Sequence, residues 1–434
     1  MNTLAKSNRT VMVSILLSSA AALASAPATV HAQVAATTSA HVNRYDTFFL
    51  SVPDANQVLQ FDRATGQLLG TAPGATPAAS NIGYGGDLFV GGADSDILRY
   101  DGVTGAYKGA FIATGAGGLV SPNSPAFCTT DNLVYVDDIT TNSILRYDEN
   151  GKFFDVFATA DSGIDHPRMA DFDLTTIFLA STNTNNVLRW DLATKAFLGA
   201  FIPPRSGGLD APIGLVIGPD QNLYIGSNGT NEILRYDGRT GAFIDTFVPA
   251  GAAGMSNIKS INFGGPNTNL YVNSAGSDRV LEFDRVTGAF VRVVADTGPV
   301  PMRGLTLSAR PILHAYAKVA LRYPDTEDGK AQKGGDERGA CGCSQWEHIA
   351  VDRIVKDFTD PSLRVRLVSI VSSDPHVNVE RAVRGAEYGR ADWDFDLAVC
   401  NTTRTPQKYT IMYTATNSRG LSTISTTVVD VPAQ

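Results

Sequence analysis

Three basic residues, Arg168, Lys259 and Arg303, occupy positions where a recurring pattern elsewhere carries Ile82, Asn123 or Ile213. A cation among aliphatic neighbours is costly to desolvate unless an anion accompanies it. The chemistry implied is the holding of a carboxylate or phosphate, with the Asn123 amide beside it. The competing account pairs each base with a nearby acid such as Asp171, or lets its long stem carry the charge to water. His166, in Asp165-His-Pro-Arg168, is the one histidine inside the repeats and the candidate catalytic base or metal ligand. Six aspartates (Asp62, Asp101, Asp148, Asp191, Asp237 and Asp284) recur with the pattern. A carboxylate present in every unit follows the turn, where it caps backbone amides, and not any one site. The chain has no Gly-x-Ser-x-Gly elbow, no phosphate-binding Gly-Lys-Ser/Thr loop and no His-Glu-x-x-His helix. Asp325-Thr-Glu-Asp-Gly329 reads as a solvated charged loop, and Cys341-Gly-Cys343 lacks the second pair of a zinc site.

The elements that must position these residues are repeats. Val58-Leu-Gln-Phe-Asp62, Ile97-Leu-Arg-Tyr-Asp101, Ile144-Leu-Arg-Tyr-Asp148, Val187-Leu-Arg-Trp-Asp191, Ile233-Leu-Arg-Tyr-Asp237 and Val280-Leu-Glu-Phe-Asp284 align, their aspartates 39, 47, 43, 46 and 47 residues apart. Periods of that length with strand-like content predict a β-propeller. In the unit around Asp237, four short strands are expected: 212–217, 223–226, 233–236 and 242–248. Gly241 supplies a positive φ between the last two. The first unit has strands at 47–50, 58–61 and 67–71 but nothing before them, while 303–307 has an innermost-strand sequence with no unit after it. The two fragments complete one blade, which closes the ring at six blades and removes its edges.

Gly-Gly-Leu-Asp-Ala-Pro-Ile-Gly-Leu (207–215), Gly-Pro-Asp-Gln-Asn-Leu-Tyr-Ile (218–225) and Ile-Leu-Arg-Tyr-Asp-Gly-Arg-Thr-Gly-Ala-Phe (233–243) resemble NHL-type propeller repeats of bacterial exported proteins. The resemblance spans about residues 43–308 and implies the fold more than a function. Propellers of this kind include streptogramin lyases, gluconolactonase-type metal lactonases, peptidylglycine lyase domains and non-catalytic binding proteins. The lyases use more than one histidine, and this region has one. The lactonases hold a divalent cation with an axial Glu, Asn and Asp. By that resemblance Asp137 and Asn273 are the oxygen ligands for a cation such as calcium, without the axial Glu.

Lys6 and Arg9, the apolar run 11–22 and Val30-His-Ala32 form a signal peptide over 1–32, with a small-residue tail at 33–42. The run is too short for a membrane span, so an exported chain without a transmembrane segment is expected. Of 434 residues, 43% are hydrophobic and 18% charged, which indicates a core-forming chain; a net charge of −8 argues against nucleic acid as a partner. A charged, Gly-rich linker is read at 309–340, followed by an Ig-like β-sandwich at 341–434 with strands at 362–371, 393–399, 409–416 and 423–431. Cys128 is expected as a buried free thiol, and Cys400 as the partner of Cys343 or Cys341. The expected protein is therefore all-β, a six-bladed propeller carrying an Ig-like module. It is read as binding a glycan, a cell-surface component or a protein at its axial face. The alternative is a lyase or lactonase acting on an anionic carbohydrate-like substrate.

Overall fold

The repeated turn shows why each unit folds as it does. Asp237 Oδ1 accepts from the backbone N–H groups of Arg239 (3.0 Å) and Thr240 (2.8 Å) and from the Thr240 hydroxyl (2.9 Å). Gly241 follows at φ 73°, and a Cβ there would lie 2.1 Å from the Phe201 carbonyl oxygen of the preceding blade. Turn and blade packing therefore share one residue. The same Asp-to-Thr contacts recur at Asp62, Asp101, Asp191 and Asp284, so these aspartates are structural. Between the third and fourth strands of a blade, Arg146 pairs with Asp155 and Arg235 with Asp245. In the last blade the polarity reverses, with Glu282 bonded to Arg292 at 2.8 Å. Aromatic residues bind blade to blade: the Tyr135 ring meets Phe157 of its own blade and Phe172 of the next, both at 5.1 Å. Each such pair contributes about 0.5–1.5 kcal/mol beyond area burial.

The computed structural model describes residues 46–73, 77–92, 94–308, 311–319, 345–357, 360, 362–374, 377–399 and 407–431. Six four-stranded antiparallel sheets form the propeller. Blade 1 runs outward from Leu305–Leu307 through Thr47–Val52 and Gln57–Asp62 to Leu68–Pro73, and its register pairs Phe48 with Leu307 and Leu50 with Leu305. The closure expected from the sequence is the closure found. Blades 2 to 6 begin with the inner strands Ser80–Ile82, Pro122–Phe127, Pro167–Phe172, Pro212–Ile217 and Ile258–Gly264. Each inner strand lies beside the next around the axis, and the Ser80 and Thr306 hydroxyls, 2.8 Å apart, join blade 2 to the closing strand.

The inner strands of blades 3 to 6 carry register irregularities near their starts: between Pro122 and Pro125, Arg168 and Ala170, Pro212 and Leu215, and Ile258 and Ser260. A bulge bends the strand and re-aims the side chains around it. This places residues 123, 168, 213 and 259 at one end of the axial channel.

The C-terminal part is a second β domain of two sheets. One contains Ile312–Val319, Gln345–Lys356, Asp394–Val399 and Val383–Arg384; the other contains Arg364–Ser372, Gln407–Thr416 and Ser422–Val431. Ala315, Ile349, Phe395 and Leu397 from the first face Leu367, Ile411 and Tyr413 from the second in one core. The strand Ile312–Val319 lies inside the stretch read as a linker. Its alternation of large and small residues runs directly into the charged segment, which hides its pairing with Gln345–Lys356. The signal peptide and tail expected at 1–42, and Cys341, Cys343 and Cys400, lie outside the described residues.

The second domain sits on the propeller face where the inner strands end. Ile424 N–H donates to Thr268 Oγ1 (3.2 Å), Gln221 Nε2 to Ser425 Oγ (3.0 Å) and Thr426 N–H to the Pro219 carbonyl. Lys356 Nζ reaches Asn132 Oδ1 at 2.9 Å. All four propeller positions are in hairpins that follow inner strands.

Candidate functional site

At the end of the channel where the inner strands begin, Arg168, Lys259 and Arg303 line one cavity of about 30 Å³ with Ala79, Asn123 and Met169. No carboxylate is on that wall among the described residues. The three cations stand on blades 4, 6 and 1, so Lys259 and Arg303 are neighbours around the ring. Ile82 is not with them. Blade 2 has a three-residue inner strand and no bulge, so Ile82 falls at its far end and Ala79 takes the mouth position.

A hydrogen-bonded chain fixes Arg168. Its Nη1 donates to Asn123 Oδ1 at 2.9 Å, Asn123 Nδ2 donates to Asp137 Oδ2 at 3.0 Å, and the Ser124 N–H donates to Asp137 Oδ1 at 3.2 Å. Arg168 Nη2 lies 2.9 Å from His166 Nε2. A guanidinium can only donate, so this ring nitrogen accepts and the imidazole is neutral. Burial and the Arg168 charge lower the His166 pKa accordingly. Arg168 Nε is buried without a partner among the described residues. Asp171, the acid that the sequence offers as its partner, is at the opposite end of the same strand; the carboxyl linked to Arg168 is Asp137 of blade 3.

Among the described residues, the carboxyl that acts on the cations of the mouth is that of Asp137. Burial, and then the charges of Arg303 and Arg168, lower the Lys259 pKa. Burial also lowers that of Arg168, against the pull of Asp137, and Arg303 lowers it further. Burial pushes the Asp137 carboxyl up to about 7, opposed by the Asn123 amide, the Ser124 N–H and the Arg168 charge. Around neutral pH that carboxyl is only partly ionised, so it does not cancel the three cations.

The backbone at His166 is left-handed, φ 56°, but Ala211 (47°) and Asn257 (51°) hold the same place in the next two blades. In each, the N–H donates to a side-chain oxygen of the preceding blade: Asn142, Asn185 and Asn231. The conformation belongs to the repeat. Met169, φ 31°, has no such counterpart.

Asp137 and Asn273 stand on blades 3 and 6, opposite each other across the ring. The oxygens of Asp137 accept from Asn123 and Ser124, while Asn273 donates to the Arg303 carbonyl. Asn273 Oδ1 is buried without a partner among the described residues. No group of three or more His, Cys, Asp and Glu suited to a metal occurs among the described residues. Cys128 is a free, buried thiol whose pKa burial pushes up to about 11.

The sequence reading missed the other end of the channel. There the inner-strand residues paired with an aromatic of the second strand are Asn81, Ala126, Asp171, Val216, Asn262 and Thr306, with His314 of the second domain beside them. The available signal was the polar residues at a register position where Ala126 and Val216 show that apolar ones are accepted. Met169 lines both this space and the basic mouth.

No family model matches the sequence, and no curated protein matches it. Among solved structures, a chain of a nidogen/laminin complex is similar at 13% identity, covering 61% of this chain and 98% of that chain, with a TM-score of 0.49. A protein of unknown function from Bacteroides caccae is similar at 13% identity, with the same coverage and a TM-score of 0.48. At that distance neither carries a ligand or an activity across to this chain. No helix among the described residues is long and apolar enough to cross a membrane.

Proposed function

We propose that this chain is an exported binding propeller whose basic mouth holds an anionic group carried by a glycan, a cell-surface component or a protein. The observation that carries the proposal is the meeting of Arg168, Lys259 and Arg303 in one cavity with no carboxylate on its wall among the described residues. Lys259 and Arg303 have no ion pair among the described residues, and Arg168 Nε–H is unspent. At about 30 Å³ the cavity admits one or two water-sized groups. It suits a carboxylate, sulfate or phosphate tip, with the rest of the ligand outside.

Binding of the mature chain to paired acidic and neutral glycans tests this. Acidic members should bind selectively and more weakly as salt rises. Arg168→Ala and Lys259→Ala should each weaken them by about 1.5–3 kcal/mol, the worth of a hydrogen bond to a charged group, with little change in melting temperature. Equal binding of neutral glycans, or folded variants that bind like the parent, would refute the proposal.

His166 supports a second reading, a lyase or lactonase acting on an anionic carbohydrate-like substrate. Its imidazole is neutral, and Nε2, the nitrogen able to take a proton, accepts from the anion-holding Arg168; it would serve as base once a substrate anion draws the guanidinium away from it. In that reading His166→Gln abolishes turnover while anion affinity persists. Turnover unchanged by the substitution would exclude His166 as the base.

A further inference from the structure

The polar side chains at the covered end of the channel alternate around the ring. Asn81, Asp171 and Asn262 stand on blades 2, 4 and 6, about 120° apart in a six-bladed propeller. All three, with His314, line both of two adjoining cavities of about 220 and 200 Å³ beneath the second domain. The larger has room for several waters, and so for an organic molecule.

All three side chains keep an unspent acceptor, and the amides of Asn81 and Asn262 keep N–H donors as well. Asp171 takes the Phe172 N–H on Oδ1 (2.9 Å) and the Ile217 N–H on Oδ2 (2.8 Å), which leaves half of the lone pairs of its carboxylate. Asn262 spends Nδ2 on the Leu305 carbonyl (2.6 Å), leaving Oδ1, and Asn81 Oδ1 takes only the Ile82 N–H (2.9 Å). His314 Nδ1 is buried and has no partner among the described residues, and burial holds its imidazole neutral by lowering its pKa to about 4. No lysine or arginine is among the described residues on either wall. The one ionisable acid there is thus a buried carboxyl without a cation. The remaining surface includes Ile82, Val216, Phe263, Leu307 and Leu313.

We propose that this chamber binds a small primary ammonium compound, its N–H donors directed to Asn81, Asp171 and Asn262. An ammonium has three donors, one positive charge and an apolar tail, which match three acceptor side chains, one acid and an aliphatic surround. A hard divalent cation needs six to eight oxygens and more charge than one carboxyl provides. A neutral alcohol leaves the carboxylate uncompensated.

Calorimetric titration of the full mature chain with n-butylammonium, tetramethylammonium, potassium chloride and n-butanol tests the assignment. Saturable binding of n-butylammonium alone is expected. Asp171→Asn, which keeps an acceptor but removes the charge, should weaken it at least about tenfold. Equal binding of n-butanol or tetramethylammonium, no binding of any amine, or a folded Asp171→Asn chain with parental affinity would overturn the proposal. If that variant does not fold, NMR contacts in the unaltered protein decide: contacts from the butyl chain to the Ile82 and Leu307 methyls support the site, and their absence removes it.

Discussion

Arg168 is held by Asn123 and His166, from two blades, and the least ordinary of the groups in that chain is Asp137, two hydrogen bonds away. Its folded pKa of about 7 lies above the ordinary carboxylate value, so the folded chain binds a proton that the unfolded chain releases near pH 4. The sign follows: Asp137 opposes folding as pH rises from about 4 to about 7, and the effect is constant above that. Asp171, raised to about 6 chiefly by burial, acts in the same direction. In urea titrations between pH 4.5 and 8, Asp137→Asn should show a smaller loss of stability with rising pH than the parent. Identical slopes would mean that Asp137 is ionised throughout. Anion affinity at the mouth should also fall as pH passes through about 7, because the new Asp137 charge then offsets Arg168.

At the scale of elements, a blade is an alternating sheet whose last two strands are joined, in four of the six blades, by an Asp-x-x-Thr-Gly turn. Gly241 sits where a left-handed backbone and the carbonyl of the neighbouring blade coincide. Gly241→Ala should cost at least about 1–2 kcal/mol from the backbone conformation alone, read as a lower urea midpoint, with no change in anion affinity. In blade 4 the corresponding residue is Lys195 at φ 61°, whose amine reaches Asp155 of blade 3. An ion pair there replaces the ease of a glycine. The bulges work differently: they do not end a strand but turn residues 123, 168, 213 and 259 to the axis.

For the whole molecule, two long-range contacts decide the shape. The closing strand joins residues more than 250 positions apart, with the Thr47 N–H bonded to Ser308 Oγ at 3.1 Å. Deleting residues 301–308 should leave the Thr47–Val52 edge of blade 1 unpaired, and light scattering should show association that the intact chain lacks. A truncated chain that stays monomeric with an unchanged melting temperature would show that the ring does not need this closure. The second domain, docked through Thr268, Pro219, Gln221 and Asn132, makes the channel's two ends unequal. One end is an open basic mouth, and the other is a covered chamber.

Blade number, ring closure and the structural role of the repeated aspartates were all legible in the sequence. Each depends on turn chemistry and strand alternation repeated at a fixed period, so six copies report the same local physics. Arg168, Lys259 and Arg303 were legible because they break that period at a shared register. The one misplaced member, Ile82, comes from a blade whose short, unbulged strand does not follow the others. The partner of Arg168 could not be read in this way. Asp171 is three residues along the strand but faces the other end of the channel, whereas Asp137 arrives through Asn123 from the adjacent blade. Nor could the chamber be foreseen, because His314 belongs to a strand whose neighbours resemble a linker. Only the docking of one domain on another brings it over Asn81, Asp171 and Asn262. Contacts between distant segments leave no local pattern, and in this protein they decide which charges are neutralised and which cavities are closed.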